Sequence, residues 1–334
     1  MHILVSRLTR LAVACALPVA AFAAQKTFVM VPKGVNPYYE PCFEGFKAAA
    51  AKYGVTVDKV DPQKFELPLQ VKVIEDLIAQ QVDGIAVSAL DDAGLAPVIA
   101  DATRAGIKVV TFDAPAPSSK ALAYIGTDNQ TAGFEAGRKM ASLLKGPKKL
   151  VVLQGGLGSV NLNLRTQGFK EAMAKFAPQT RIVEVADTNG EFNMATNKTE
   201  ALLQAYPDLN AIFAVSAEGA PAAAAILKQQ GKAGKIVLAG FDDLKDTIKG
   251  VNDGSIAFCL VQKTYKMGWL SVVQLLDAEN GKPLPKVTDT GVLLVTKSNA
   301  NTYMVDMKKE FGKLTTGKPG MGAARRHGSK EALA

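Results

Sequence analysis

Gly106-Ile107-Lys108-Val109-Val110-Thr111-Phe112-Asp113 has a counterpart in Gly234-Lys235-Ile236-Val237-Leu238-Ala239-Gly240-Phe241-Asp242. Each is a short apolar run, opened by glycine and closed by aspartate, and such a run reads as a buried strand. A second pair precedes them at similar places: Val82-Asp83-Gly84-Ile85-Ala86-Val87-Ser88 and Leu209-Asn210-Ala211-Ile212-Phe213-Ala214-Val215-Ser216. Two successive series thus carry like elements in like order. The simplest geometry is two lobes of similar build with a cleft between them.

The neighbouring sequence extends the pattern. Further strand-like runs are Thr27–Val31, Val55–Val60, Leu150–Leu153, Arg181–Val185 and Ile256–Val261. Amphipathic stretches of helical length alternate with the strands: Glu44–Tyr53, Gln70–Gln80, Leu95–Arg104, Thr131–Leu144, Thr166–Phe176, Met194–Ala205 and Ala220–Gln230. That alternation predicts an α/β protein with parallel sheets covered by helices on both faces. Trp269 and the helix around it are assigned to core packing.

At 334 residues the chain has room for two domains. With 48% hydrophobic and 21% charged residues, a sizeable core is expected and wholesale disorder is excluded. Histidine is the most telling count: only His2 and His327 occur, both in terminal segments. A folded body without imidazole has no Ser-His or Cys-His triad and no His-based metal site. No catalytic residue, metal or cofactor is therefore expected.

The ends differ in kind from the body. Arg7 and Arg10 precede the apolar run Leu11–Ala24, which is too short to span a bilayer. With Ala21-Phe22-Ala23 as a cleavage site, residues 1–24 read as a signal peptide, and the mature protein as exported to the periplasm. The net charge of +8 falls to about +6 without that segment, and residues 308–334 carry +5 of it. The body is nearly neutral, so a nucleic-acid surface is not supported. Residues 308–334 read as a disordered basic tail. Of the cysteines left after cleavage, Cys42 falls in a helical pattern and Cys259 in a strand pattern. Two buried thiols are the expectation, although export permits a disulfide.

Ligands of open α/β sheets bind beyond the carboxyl ends of the strands, where Asp113 and Asp242 stand. Five segments in order then carry a family likeness: Asn36-Pro37-Tyr38-Tyr39 with Gly45-Phe46, Thr111-Phe112-Asp113, Tyr124-Ile125-Gly126-Thr127-Asp128-Asn129, Arg165-Thr166-Gln167-Gly168-Phe169, and Gly240-Phe241-Asp242 followed by Gln262. From about Lys26 to Ser298 the chain resembles the periplasmic sugar-binding proteins of ABC importers, in the ribose-binding-protein-like group.

The resemblance implies two Rossmann-like lobes joined by a three-segment hinge, the type I periplasmic binding protein fold. Crossings are expected near Gly126–Asp128, Val261–Lys263 and Asp289–Gly291. The first lobe would hold 25–127 with 263–289, and the second 128–262 with 290–300. It also implies a monomer that closes on a monosaccharide or sugar alcohol and presents it to an ABC permease in the inner membrane. Asp113 and Asp242 would anchor hydroxyls, one from each lobe. Tyr38 and Tyr39 would supply flat apolar faces, with Phe192 matching a third aromatic from the second lobe. Asn36 and Gln262 match amide positions, and Ser216 stands where an amide often sits. Arg165 would support the site. Ala114 and Asn163 replace arginines common in the ribose-type pocket, which makes this pocket less cationic, and Lys33 is a candidate replacement donor. Glu40 and Glu218 read as helix-start residues complementing the dipole.

Rival readings are weaker. Gly155-Gly156-Leu157-Gly158-Ser159-Val160-Asn161 lacks the third glycine of a dinucleotide loop. The two aspartates would serve a carbohydrate-processing enzyme only as an isolated carboxylate pair. A sugar-responsive transcription factor shares the implied fold but needs a DNA-binding head instead of an export signal. A subunit feeding a chemoreceptor or sensor kinase would use the same pocket.

Overall fold

A computed structural model describes residues 25–316, with side chains described through Gly312. The segment 1–24, both histidines and residues 317–334 lie outside the described residues. The first series runs β1 (Thr27–Val31), α1 (Glu40–Tyr53), β2 (Thr56–Lys59), α2 (Leu67–Ala79), β3 (Gly84–Val87), α3 (Asp92–Arg104), β4 (Lys108–Phe112) and β5 (Tyr124–Gly126). The second begins with α4 (Asn129–Leu143), β6 (Lys148–Gln154), α5 (Val160–Phe176), β7 (Thr180–Asp187) and α6 (Phe192–Ala205). It continues through β8 (Ala211–Ala214), α7 (Gly219–Gln229), β9 (Val237–Phe241), α8 (Lys245–Asp253) and β10 (Phe258–Gln262). The chain ends with α9 (Thr264–Glu279), β11 (Val287–Asp289), β12 (Val292–Thr296) and α10 (Tyr303–Thr316).

The strands form two six-stranded sheets, ordered β11-β5-β4-β3-β1-β2 and β12-β10-β9-β8-β6-β7. Every pairing is parallel except β10 with β12. The chain leaves the first sheet after Gly126, returns to that lobe after Gln262, and crosses once more between Asp289 and Val292. Side chains alternate between two cores in each lobe, as they must where helices cover both faces of a sheet. Phe28 and Met30 of β1 face α1 and α9, whereas Val29 and Val31 face α2 and α3. In the second lobe Leu150 and Val152 of β6 face one cluster, and Val151 and Leu153 face the other. Each fully buried side chain of this kind contributes about 1.5–3 kcal/mol.

One helix pair in each lobe touches backbone to backbone. A Cβ added at Gly268 of α9 would lie 1.7 Å from the Cys42 carbonyl of α1, and one at Gly45 would lie 2.0 Å from the Tyr265 carbonyl. Between α4 and α5, a Cβ on Gly133 would lie 2.1 Å from the Arg165 carbonyl, and one on Gly168 2.0 Å from the Gln130 carbonyl. Only glycine allows these crossings, and they fix α1, which follows directly on Tyr38 and Tyr39, and α5, which carries Arg165.

Three details differ from the sequence expectations. The stretch 308–316, read as tail, belongs to α10, because Tyr303, Met307 and Phe311 form an apolar stripe at four-residue spacing. Tyr303 and Met307 enter the second-lobe core, and Phe311 stacks on Tyr265 with centroids 5.0 Å apart. The strand expected at Lys235–Ala239 sits two residues later, since Lys235 and Ile236 close a turn onto the Lys232 carbonyl. Helix α5 begins six residues before its expected start, with consequences for the site. Cys42 and Cys259 are both buried free thiols, one in each lobe. Trp269 is buried against Tyr53.

Candidate functional site

The two strand-end aspartates occupy matching and unusual backbone positions. Asp113 follows β4 with φ 58° and Asp242 follows β9 with φ 67°. Left-handed backbone at a non-glycine residue is uncommon, is most tolerable for Asp and Asn, and stores strain of order 1 kcal/mol. Each aspartate donates its N–H to the neighbouring strand on the edge side, Asp113 to the Ile125 carbonyl of β5 at 3.1 Å and Asp242 to the Leu260 carbonyl of β10 at 2.7 Å. Both carboxylates therefore leave the sheet ends and enter one buried cavity between the lobes.

In the first lobe, Asn36 caps the 3-10 turn Pro37–Tyr39 by accepting from the Tyr38 N–H at 2.9 Å. That turn aims both tyrosines inward. The Tyr38 hydroxyl donates to Asp113 Oδ1 at 2.8 Å, while Tyr39 and Ser88 hydroxyls reach Oδ2 at 3.3 and 2.6 Å. Burial, followed by the Asp113 charge, pushes both phenols well above their ordinary range, so they remain donors. The tyrosines expected only as apolar walls thus also orient the carboxylate.

In the second lobe, Gln262 donates to Asp242 Oδ1 at 3.1 Å and accepts from Thr127 Oγ1 at 2.9 Å. This chain of bonds runs through two interlobe crossings, and the third joins through Asp289, which accepts from the Asp128 N–H at 3.0 Å. Burial drives the Asp242 carboxyl up to about 7, against the opposing pull of Arg165. Arg165 is itself buried. Its Nε donates to Asn129 Oδ1 at 2.8 Å, one terminal nitrogen donates to the Val215 carbonyl at 2.9 Å, and its Cζ lies 4.2 Å from the Phe241 ring centroid. Its other terminal nitrogen, Nη2, has no hydrogen-bond partner among the described residues. Arg165 lines the cavity directly.

Lys33 is buried in the cleft and spans it, donating to Ser159 Oγ and Asn161 Oδ1 of the second lobe at 3.1 Å each. Burial lowers its ammonium to about 8. Ser159 Oγ also donates back to the Leu90 carbonyl at 2.9 Å. Glu218 is a residue whose role the sequence reading missed. It sits before α7 without capping it, and instead accepts from Ser216 and Thr188 hydroxyls on one oxygen, with burial raising its carboxyl. Glu40, by contrast, is an exposed helix-start residue paired with Lys59 at 2.7 Å.

Two expected site residues lie outside the inner cavity. Asn163 is exposed and tied to Gln154 at 2.9 Å and the Leu157 carbonyl at 2.8 Å. Because α5 starts at Val160, positions 161 and 165 share a face, and position 163 is turned about 200° from Asn161. Asn161 takes the inward place. Phe192 begins α6 and is 47% exposed at the cleft mouth. The third aromatic of the inner wall is Phe65, from the loop before α2 in the first lobe. The inner cavity is small, about 50 Å³, and beside it the mouth opens to about 810 Å³. Among the described residues no group of three or more His, Cys, Asp or Glu side chains gathers to hold a metal ion.

The comparisons agree with this architecture. A family model described as a periplasmic binding protein domain matches residues 27–283. A solute-binding protein of an ABC transporter from Burkholderia graminis, solved in complex with D-arabinose, is 39% identical. It covers 83% of this chain and 97% of its own, with a TM-score of 0.80. GanP, a glucose-galactose binding protein from Geobacillus stearothermophilus, is 34% identical with a TM-score of 0.79, over 82% of this chain and 98% of its own. The ribose import binding protein RbsB of Bacillus subtilis is 28% identical over 264 residues, 78% of this chain and 84% of the relative. The chain therefore belongs to the periplasmic binding protein domain family, with the type I architecture of its ribose-binding-protein-like group.

Proposed function

We propose that this protein is the exported solute-binding component of an ABC importer, that it binds one monosaccharide or sugar alcohol between its lobes, and that the closed form delivers it to an inner-membrane permease. The observation that carries this reading is the pairing of open polar atoms on one cavity. Asp242 has one oxygen engaged by Gln262, and Arg165 keeps a buried terminal nitrogen unpartnered among the described residues. A polyhydroxylated neutral molecule satisfies both, since each hydroxyl donates and accepts. Tyr38, Tyr39 and Phe65 supply apolar ring surface for the C–H faces. Charge-assisted hydrogen bonds contribute about 1.5–3 kcal/mol each, and micromolar affinity requires about 8 kcal/mol in all. A few such bonds with ring contacts suffice.

A sugar ring needs more room than 50 Å³, so the lobes part to admit it and close by hinge rotation, a shift of a two-state equilibrium. Binding without chemistry fits the state of Asp113. Its oxygens accept from hydroxyls of Tyr38, Tyr39 and Ser88, which hold the carboxylate in place and leave acceptor capacity for a ligand hydroxyl. The names of the relatives favour pentoses and hexoses as first candidates. The test is a thermal-shift screen of the protein from residue 25 against pentoses, hexoses, deoxy sugars and alditols. A ligand at one hundred times its Kd adds about 2.7 kcal/mol of stability. A panel without any stabilising member contradicts the reading, as does a ligand recovered chemically altered.

A further inference from the structure

We infer that Phe65 sets the length of ligand the cleft accepts, acting as the wall between the inner cavity and the mouth and restricting the site to a single unsubstituted sugar unit; this rests on the function proposed above. Phe65 lines both spaces, the inner one of about 50 Å³ and the outer one of about 810 Å³. Its ring is received by a glycine from each lobe. A Cβ on Gly34 of the first lobe would lie 2.8 Å from the ring, and one on Gly190 of the second would lie 3.3 Å from it. Gly190 also has φ 72°, which suits glycine independently of the contact. The ring thus closes the gap between the lobes at the point where the cavity meets the mouth.

Beyond Phe65 the mouth has the composition of a sugar or aglycone platform. Phe192 and Val35 are 47% and 61% exposed there, among the charged side chains Lys64, Glu191 and Lys245. Asn36 and Glu218 line both spaces, so the polar lining is continuous past the ring. The aromatic side chain of Phe65 is the bulky apolar barrier among the residues shared by the two spaces, the others being Asn36, Gly190 and Glu218. Removing it takes away that barrier between the two spaces.

The experiment compares wild type, Phe65→Leu and Phe65→Ala by titration calorimetry. The probes are D-arabinose, D-ribose, D-glucose and D-galactose, their methyl and phenyl glycosides, and disaccharides extended at either end. Wild type is expected to bind its preferred monosaccharide at least ten-fold more tightly than any extended form. Phe65→Ala is expected to narrow that ratio at least ten-fold or reverse it, with Phe65→Leu between the two. The melting temperature of each unliganded variant checks that the fold survives. If wild type binds monosaccharides but takes extended forms equally well, or if Phe65→Ala leaves the ratio within two-fold, the role assigned to Phe65 is overturned while the proposed function stands. If wild type binds neither a member of this panel nor any sugar or alditol of the thermal-shift screen, the proposed function fails and this inference with it.

Discussion

The two lobes are built alike and finished differently. Each has a six-stranded sheet, a helix pair crossing at glycines, and a left-handed aspartate at a strand end. Yet Asp113 is held by three hydroxyls of its own lobe, whereas Asp242 has one amide partner and a carboxyl driven up to about 7. The second lobe also holds the open nitrogen of Arg165. The first lobe holds its carboxylate in a fixed orientation, and the second keeps more polar capacity that a ligand would satisfy. In a hinged binder this asymmetry has a use: a ligand seated on the first lobe gains its remaining bonds only when the second lobe arrives, and that difference favours closure.

The sharpest way to break the comparison is Arg165→Ala. It removes a fully buried side chain, leaves Asn129 Oδ1 and the Val215 carbonyl without their donor, and takes the cation from beside Asp242. A loss of about 3–5 kcal/mol in unfolding free energy is expected by denaturant titration, together with loss of ligand response. A variant of wild-type stability would show that the second lobe does not depend on this group. Next in size is the contrast between Asp113→Asn and Asp242→Asn. Both should weaken binding ten- to hundred-fold, but only Asp113→Asn should destabilise the unliganded protein, by about 1–3 kcal/mol, because three hydroxyls lose a charged acceptor. Equal melting temperatures for the two variants would erase the distinction between the lobes.

A pH series sharpens the same point with a smaller effect. Folded Asp242 holds its proton up to about 7, whereas the unfolded chain gives it up near 3.8. The folded state therefore binds more protons in that window, and stability relative to Asp242→Asn should fall as pH rises from about 4 to about 7. A difference independent of pH contradicts the burial argument. The smallest effect is expected at Asn163→Ala, within about 0.5 kcal/mol in stability and two-fold in affinity, as for other exposed positions. Asn161→Ala, which removes one acceptor of Lys33, should weaken binding measurably.

What the sequence disclosed follows from the range of the interactions involved. The strands and the matched aspartates are local patterns, visible as apolar runs ending in Asp113 and Asp242. The tyrosine turn is equally local. Groups that meet only across the cleft were harder to read: Lys33 and Asn161 are 128 residues apart in sequence. Phe65 gave no signal, because it sits in a polar loop and acquires its place only when Gly34 and Gly190 face each other. Helix phase turns Asn163 away from the inner cavity. The glycine-rich lead of α5 and a Ser159 cap without a side-chain bond hid a start at Val160, and two residues of offset turn a side chain to the opposite face. At α10, the basic charge of residues 308–334 masked the apolar spacing of Tyr303, Met307 and Phe311.

The most direct measurement is a calorimetric titration of the protein from residue 25 with the strongest ligand from the sugar and alditol screen, carried out on wild type and Asp242→Asn. The account predicts one ligand per chain, unchanged on recovery, with affinity reduced ten-fold or more in the variant. Two ligands per chain, or full affinity without the Asp242 carboxylate, would contradict a single grip made jointly by both lobes.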